Sequence, residues 1–185
     1  MVALNLPSFE TNIKMRNGKP FILDILRQKF VALTPEEWVR QHFIHYLIEH
    51  KGYPQALLAN EVPLKVGDKK LRADSVLYTR ELRPRMIIEY KAPDIAISQK
   101  VFEQIAAYNT LLHVDYILAS NGLQTVVCKV DYVGKKYLFI AEVPDYEKLW
   151  RYFYVSNIIT SPINRHLNVV TLRYGHEKSP AVWPG

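Results

Sequence analysis

The sequence predicts an α/β fold in which a central mixed β-sheet is flanked by helices. Two segments with a helical spacing of apolar residues, 35–50 and 98–112, alternate with strand-like runs at 57–66, 71–78, 85–91 and 115–119. Such an order is typical of a sheet that has helices packed on its faces. The 185 residues fit one domain that can bury a full hydrophobic core.

Composition excludes several classes of protein. The residues are 49% hydrophobic and 23% charged, which is an ordinary globular profile. No apolar run approaches the ~18 residues of a membrane helix, and the N-terminus does not resemble a signal peptide. The single cysteine, Cys128, excludes an intrachain disulfide and a cysteine-rich zinc site. We therefore expect a cytoplasmic protein with no membrane contact.

The basic charge makes a nucleic-acid partner worth testing. The net charge is +6 and the isoelectric point is about 9.3. The cations form small clusters, among them 14–19, 69–72 and 80–85, and a solvated surface is the simpler interpretation of any single cluster. No long basic tail is present.

The first 33 residues are expected to form an irregular lead-in with one hairpin turn at Asn17-Gly18, between Ile13–Arg16 and Phe21–Leu23. A helix then follows over 35–50. Thr34 is a good N-cap, Pro35 suits the first helical position, and Glu37 is expected to complete a capping box. We divide the chain into a lead-in at 1–33, a core at 34–145, and a C-terminal helix and tail at 146–185, with the helix at 145–154.

Three strand-like runs and a second helix follow. Gly67-Asp68 is expected to form the turn between the first two strands. The helix at 98–112 has Val101, Ile105 and Tyr108 on one apolar face. After the strand at 115–119, two further runs at 125–132 and 136–141 are expected to pair across Gly134.

Opposite charges interrupt the most apolar strand. Glu89 and Lys91 lie two residues apart, so both side chains project to the same face at the strand end, before Pro93. A half-exposed salt bridge is one interpretation. Asp74, however, lies within the neighbouring strand, and two carboxylates brought together repel each other unless a cation lies between them. Magnesium is typically held by one or two carboxylates and waters, so Asp74 and Glu89 are candidate ligands.

Polar groups on the helices complete this candidate site. Gln104 falls within the apolar stripe of the second helix, where a buried amide needs a partner. A strand backbone group would satisfy it, and so would water, metal or phosphate at the site. On the first helix, Glu36 is in line with the packed side, whereas Glu37 has a capping role. We therefore prefer Glu36 as a further acidic group and keep Glu37 as the alternative.

These residues resemble a known signature. Asp74, Glu89-Tyr90-Lys91 and Gln104-Ile105-Ala106-Ala107-Tyr108 look like the PD-(D/E)xK nuclease signature followed by the QxxxY motif of type I restriction enzyme R subunits and RecB-type nucleases. The segments 33–41, 70–74, 89–93 and 120–122 are similar to small proteins built on the R-subunit N-terminal domain. The resemblance covers about residues 20–145. Ala73 stands where the signature has proline, at a position that is often relaxed.

The resemblance implies a restriction-endonuclease-like core and magnesium-dependent cleavage of DNA, with Mn²⁺ as a substitute. It implies Asp74 and Glu89 as metal ligands and Lys91 as an aid to the attacking water. Gln104 and Tyr108 would support DNA binding and cleavage, and a helix glutamate would complete the site. The implied partners are DNA and other proteins of a restriction system.

Two further expectations concern DNA binding and the absence of an ATP-driven motor. The basic clusters at 69–72, including Lys70 and Arg72, and at 80–85 are expected to flank the site and bind phosphates. The sequence contains no GxxxxGK[ST] loop, so the chain carries no ATP-binding motor.

A catalytically inactive nucleic-acid-binding or assembly module with the same fold is the main alternative function. An unrelated soluble enzyme is the third possible function.

Overall fold

The structure, a computed structural model, describes residues 2–66 and 69–149. Its main feature is a six-stranded sheet with the order β4-β5-β6-β7-β8-β9. The strands are β4 (Leu58–Val66), β5 (Lys69–Tyr78), β6 (Pro84–Tyr90), β7 (Tyr116–Ser120), β8 (Thr125–Asp131) and β9 (Lys136–Ile140). Only β6 and β7 are parallel in this sheet, which is the mixed sheet that the sequence predicts.

Helices cover both faces of the sheet. Helix α1 (Pro35–His45) continues into a π-helical turn at Tyr46–His50, and α2 (Gln99–Leu112) connects β6 to β7. Residues 86, 88 and 90 of β6 pack in one apolar cluster with α1, whereas Ile87 packs in the other with α2. Because side chains alternate along a strand, β6 is buried on both sides, and Glu89 lies on the same side as Ile87, facing α2. The predicted α/β class is confirmed.

The expectation of an irregular lead-in was wrong. Three strands, β1 (Ile13–Arg16), β2 (Lys19–Asp24) and β3 (Lys29–Ala32), form a separate antiparallel sheet. The predicted turn at Asn17-Gly18 is confirmed, with φ values of 49° and 73° that suit a two-residue hairpin. The sequence indicates the hairpin of β1 and β2 through its turn but not β3 or the complete sheet. The strands are short, and β1 is exposed along its whole length, which removes the alternation that identifies a strand.

The first helix begins as predicted, but its capping box does not form. Thr34 Oγ1 accepts the Glu37 N–H at 3.0 Å, so the N-cap is confirmed. The Thr34 N–H, however, donates to the Ala32 carbonyl rather than to the Glu37 side chain. Glu37 instead accepts hydrogen bonds from Arg40 and Gln41. The half of the prediction that rested on the Glu37 side chain was wrong, because a buried guanidinium is the stronger partner.

The remaining boundaries agree with the sequence to within a few residues. Helix α2 begins after Ser98 and ends at His113, which adopts a left-handed conformation. The predicted C-terminal helix starts at Tyr146 and is followed to Leu149, and its remainder lies outside the described residues, as does the Gly67-Asp68 turn. Within the described part of the chain, no helix has the length and apolar character needed to span a bilayer.

Candidate active site

Two buried carboxylates, Asp74 on β5 and Glu89 on β6, lie close enough for their charges to interact. Ser75 pairs with Ile88, so Asp74 and Glu89 occupy the next position on each strand. The Tyr90 N–H donates to Asp74 Oδ2 at 2.9 Å, which ties Asp74 to the end of the Glu89 strand. Asp74 and Glu89 are only 9% and 3% exposed. The neighbouring strands and this hydrogen bond therefore concentrate negative charge at this point.

The two oxygens of Glu89 have different surroundings. Glu89 Oε1 accepts hydrogen bonds from Lys91 Nζ at 2.8 Å and from Gln104 Nε2 at 2.6 Å. Glu89 Oε2 is buried and has no hydrogen-bond partner among the described residues. A buried carboxylate oxygen without a partner is costly, so this atom marks a place where a cation or a proton would be stabilised.

Burial and the nearby Asp74 carboxylate raise the pKa of Glu89 to about 7. The hydrogen bond from Lys91 acts in the opposite direction and favours the ionised form. For Lys91 itself, burial lowers the pKa, but the bond to Glu89 and the charges of Asp74 and Glu36 produce a net increase. Lys91 is therefore a stable cation beside a carboxyl group that changes its charge near neutral pH.

Asp74 is held by a buried arginine that we did not single out in the sequence. Arg40 Nη2 donates to Asp74 Oδ1 at 2.9 Å, and Arg40 Nη1 contacts Glu37 at 2.9 Å and Glu61 at 2.6 Å. Burial lowers the pKa of Arg40, but Asp74, Glu37 and Glu61 outweigh that effect and raise it. The spacing of Glu37 and Arg40 indicates a pair on one helix, but nothing local indicates the contacts to β4 and β5.

Glu61 is a second residue that sequence reasoning missed. It lies in β4 between two ladder pairs, and its φ of 59° is a strained conformation for a residue with a side chain. Glu61 Oε1 faces Arg40, and Glu61 Oε2 contacts Arg72 Nη1 at 2.5 Å. No sequence signal marks a positive φ at a glutamate inside a strand.

The structure distinguishes the two glutamates at the start of α1. Burial and the charge of Asp74 raise the pKa of Glu36, whereas Arg40 and Lys91 lower it, and the net direction is upward. Glu36 is therefore close enough to sense the site, and its side chain is 43% exposed. Glu37 is turned toward Arg40 and Gln41. Glu36 thus interacts with the charges of Asp74 and Lys91, and its role in the site stays a prediction.

Gln104 and Tyr108 form a short chain that leads from α2 to Glu89. Gln104 Nε2 donates to Tyr108 Oη at 2.9 Å as well as to Glu89. The Tyr108 ring is only 8% exposed and belongs to the apolar cluster under α2. This geometry makes Tyr108 a support for Gln104, and a direct contact of its ring with DNA stays a prediction.

The basic residues predicted to bind DNA differ in their exposure and in their ion-pair partners. Lys70 is exposed, and Arg72 is exposed at the same strand end but paired with Glu61. Arg85, by contrast, is buried against Asp115 and the Leu149 carbonyl. Glu89 lies six residues along the chain from Arg83, or about 20 Å of extended strand. The expectation that the 80–85 cluster flanks the site was therefore wrong, because the β5–β6 turn is at the far end of the sheet.

Two carboxylates in this arrangement could hold a hard divalent cation. No group of three His, Cys, Asp or Glu side chains with metal-binding geometry is found among residues 2–66 and 69–149. Magnesium does not require one, because it usually keeps several waters and binds through one or two carboxylates. Glu89 Oε2 fits that requirement, because it is a buried carboxylate oxygen with no hydrogen-bond partner within the described ranges.

Comparisons with known proteins agree with the fold and show the family. A solved fragment from Vibrio vulnificus YJ016, described as an HsdR subunit of a type I restriction enzyme, matches with a TM-score of 0.51 and 19% sequence identity. The match covers 70% of this chain and 27% of that one, so the chain spans about a quarter of the fragment's length. No curated protein matches. A family described as type I restriction enzyme R protein N terminus (HSDR_N) matches residues 35–144. Since this range is more than half of the chain, the protein belongs to the type I restriction enzyme R protein N-terminal family.

Proposed function

We propose that this chain is a metal-dependent nuclease module that hydrolyses phosphodiester bonds in DNA. One observation carries the proposal: Glu89 is buried beside Asp74, its Oε1 is held by Lys91 and Gln104, and its Oε2 has no hydrogen-bond partner in the part of the chain that the structure describes. A salt bridge that served only stability would not need a second buried carboxylate beside it. It would also not leave a carboxylate oxygen without a hydrogen-bond partner. Membership of the restriction-related family agrees with this chemistry.

Each residue of the site has a distinct proposed role. Asp74 and Glu89 would hold Mg²⁺, with Mn²⁺ as a substitute. When bound, such an ion acts as a Lewis acid and lowers the pKa of its water. Lys91 presents a cation where negative charge develops on the phosphate, and such preorganised charge is effective in a site of low polarity.

The supporting groups act through Glu89 and Asp74. Gln104 fixes the orientation of the Glu89 carboxylate, and Tyr108 in turn fixes Gln104. Glu36 lies at the open side of the site, where it could accept a hydrogen bond from a metal-bound water. These residues come from α1, β5, β6 and α2, so the whole core is needed to build the site.

A second candidate function is a nucleic-acid-binding or assembly module without turnover. The observation that favours it is that both oxygens of Asp74 already accept hydrogen bonds, from Arg40 and from the Tyr90 N–H. Each carboxylate oxygen has two lone pairs, so these bonds weaken Asp74 as a ligand without excluding it. Other restriction-system proteins are proposed partners under either function.

The test is a metal titration by calorimetry combined with cleavage assays on plasmid and single-stranded DNA. The nuclease proposal expects binding of Mg²⁺ or Mn²⁺ and metal-dependent cleavage, both lost in Glu89→Ala. A chain that binds DNA but neither binds metal nor cleaves any substrate would establish the module function instead. The sequence contains no ATP-binding loop, so the assays need no ATP.

A further inference from the structure

The outward face of the N-terminal sheet carries cations and aromatic rings. Cross-strand neighbours share a face, and Lys14 pairs with Phe21 while Arg16 pairs with Lys19. We call this set, with Phe30, the β1–β3 face. The opposite face contains Ile22, which is fully buried, so the β1–β3 face is the one turned to solvent. It lies outside residues 35–144, the part of the chain that matches the family.

The cations of this face have no carboxylate partners among the described residues. Lys14 Nζ lies 4.3 Å from the centre of the Phe30 ring, and the Arg16 guanidinium carbon lies 5.5 Å from the Phe21 ring and 5.6 Å from the Phe30 ring. Such contacts hold the stems in place while the charges face solvent. No Asp or Glu occurs at the strand positions of the β1–β3 face. The face is therefore a fixed, uncompensated positive surface.

This surface is anchored beside the candidate site. Asn60 Nδ2 donates to Asp24 Oδ2 at 2.9 Å, and Asn60 Oδ1 accepts from Ser75 Oγ at 2.5 Å. Asp24 ends β2, and Ser75 is the chain neighbour of Asp74. The six residues of β2 extend ~17 Å from this anchor toward the Asn17-Gly18 turn. A duplex that entered the site and followed β2 would present about ten phosphate charges over that length.

We propose that the β1–β3 face binds the phosphate backbone of duplex DNA and extends the DNA contact beyond the nuclease core. The inference rests on the proposed function, because it takes DNA as the partner. The chemistry favours phosphates over bases, since the Phe21 and Phe30 rings are covered by cations and are partly buried. Contacts of this kind position the protein without reading the sequence.

The experiment compares charge-matched pairs of variants in the full chain. The affinity for a short labelled duplex is measured by fluorescence anisotropy without divalent metal, over a range of salt concentrations. Lys14→Gln/Arg16→Gln removes two charges from the β1–β3 face. Lys135→Gln/Lys136→Gln removes two exposed charges near the β8–β9 hairpin, at the other edge of the main sheet. Lys14→Arg/Arg16→Lys keeps the charge of the face and serves as the rescue variant.

We expect the face variant to reduce the slope of log affinity against log salt by about 2 and to weaken binding roughly 100-fold at about 50 mM salt. The Lys135/Lys136 pair and the rescue variant should behave as wild type. Lys14 and Arg16 are exposed, so thermal unfolding should be the same in all variants.

Cleavage by the same proteins separates the two proposals. Wild-type cleavage with Mg²⁺, combined with a face variant that binds and cleaves as wild type, overturns the face proposal and leaves the nuclease proposal intact. Binding that depends on the face without any cleavage supports the face and favours the module function. A wild-type chain that neither binds nor cleaves DNA overturns both.

Discussion

Arg40 Nη2 donates a hydrogen bond to Asp74 Oδ1 at 2.9 Å, and this contact joins helix α1 to the candidate metal-binding strand. The guanidinium also contacts Glu37 and Glu61 and lies 3.8 Å from Glu36 Oε1, so one buried cation compensates four carboxylates. Because these carboxylates come from α1, β4 and β5, the arginine fixes the relative position of three elements. The bidentate, planar group suits this task better than an ammonium would.

We predict that Arg40→Met destabilises the protein by about 3–5 kcal/mol, since it leaves buried carboxylates without their cation. Arg40→Lys should lose less, because it retains the charge and loses the second donor arm. Chemical denaturation provides the measurement. The matched control is Arg72→Gln, which removes an arginine whose side chain is 64% exposed from the same Glu61, and it should cost about 0–1 kcal/mol. Equal losses in the two variants would contradict the role assigned to Arg40.

The strands and helices of the core could be predicted because each carries a strong local signal. Strand β6 is apolar on both faces and ends before Pro93, and α2 has a regular apolar stripe over four turns. The three N-terminal strands have no such signal, since β1 is exposed throughout and its pairing is stabilised by contacts across the strands. Only the turn residues Asn17-Gly18 were informative there.

The acidic and amide members of the candidate site were found because each violates a local pattern. Glu89 interrupts an apolar strand, and Gln104 interrupts an apolar stripe. Their mutual contact at 2.6 Å joins residues on separate elements, and the sequence could indicate only that the amide needs a partner. Arg40 and Glu61 could not be found in this way, because neither residue interrupts a local pattern. An arginine on a helix and a glutamate on an edge strand are ordinary surface residues, and only the fold shows that they are buried.

The raised pKa of Glu89 predicts a pH-dependent affinity for Mg²⁺. Protons compete with the metal below the pKa of about 7, so the dissociation constant should fall about tenfold per pH unit up to that value and level off above it. Calorimetric titrations over a series of pH values measure this. An affinity that stays constant from pH 5 to 8 would show that Glu89 is not a ligand.

The same shift predicts a stability effect in the absence of metal. The pKa of Glu89 is raised on folding from 4.5 to about 7, so the native state binds more protons than the unfolded state between those values. The contribution of this carboxyl group to stability is present below pH 4.5 and is lost as the pH rises toward 7. Glu89→Gln carries no charge and should gain stability relative to wild type over this interval, as measured by urea denaturation.

Gln104→Leu should shift the pH profile of cleavage toward higher pH. The Gln104 amide donates to Glu89 Oε1, and a donor to the charged form favours ionisation, so its removal raises the pKa of Glu89 further. Tyr108→Phe tests the support role separately. It removes the acceptor of the other Gln104 hydrogen bond while it leaves the amide present, and a smaller shift in the same direction is expected. An unchanged profile in Gln104→Leu would make this amide a packing residue.

Lys91→Ala and Glu89→Ala should both abolish cleavage, but for different reasons. Lys91 lies at the end of β6 and its side chain is 21% exposed, so its removal opens no core cavity. Glu89, whose pKa is already raised to about 7, can take up a proton when this cation is lost, so folding and DNA binding should be nearly unchanged. Loss of one such electrostatic group costs on the order of a hundredfold or more in rate, which reduces cleavage to near the limit of detection. Glu89→Ala should remove the metal instead. The two variants therefore separate in a magnesium titration, in which Lys91→Ala still binds the ion and Glu89→Ala does not. If Lys91→Ala cleaves as fast as wild type, Lys91 is only the salt-bridge partner that neutralises Glu89, and the charge that assists the reaction must come from another residue.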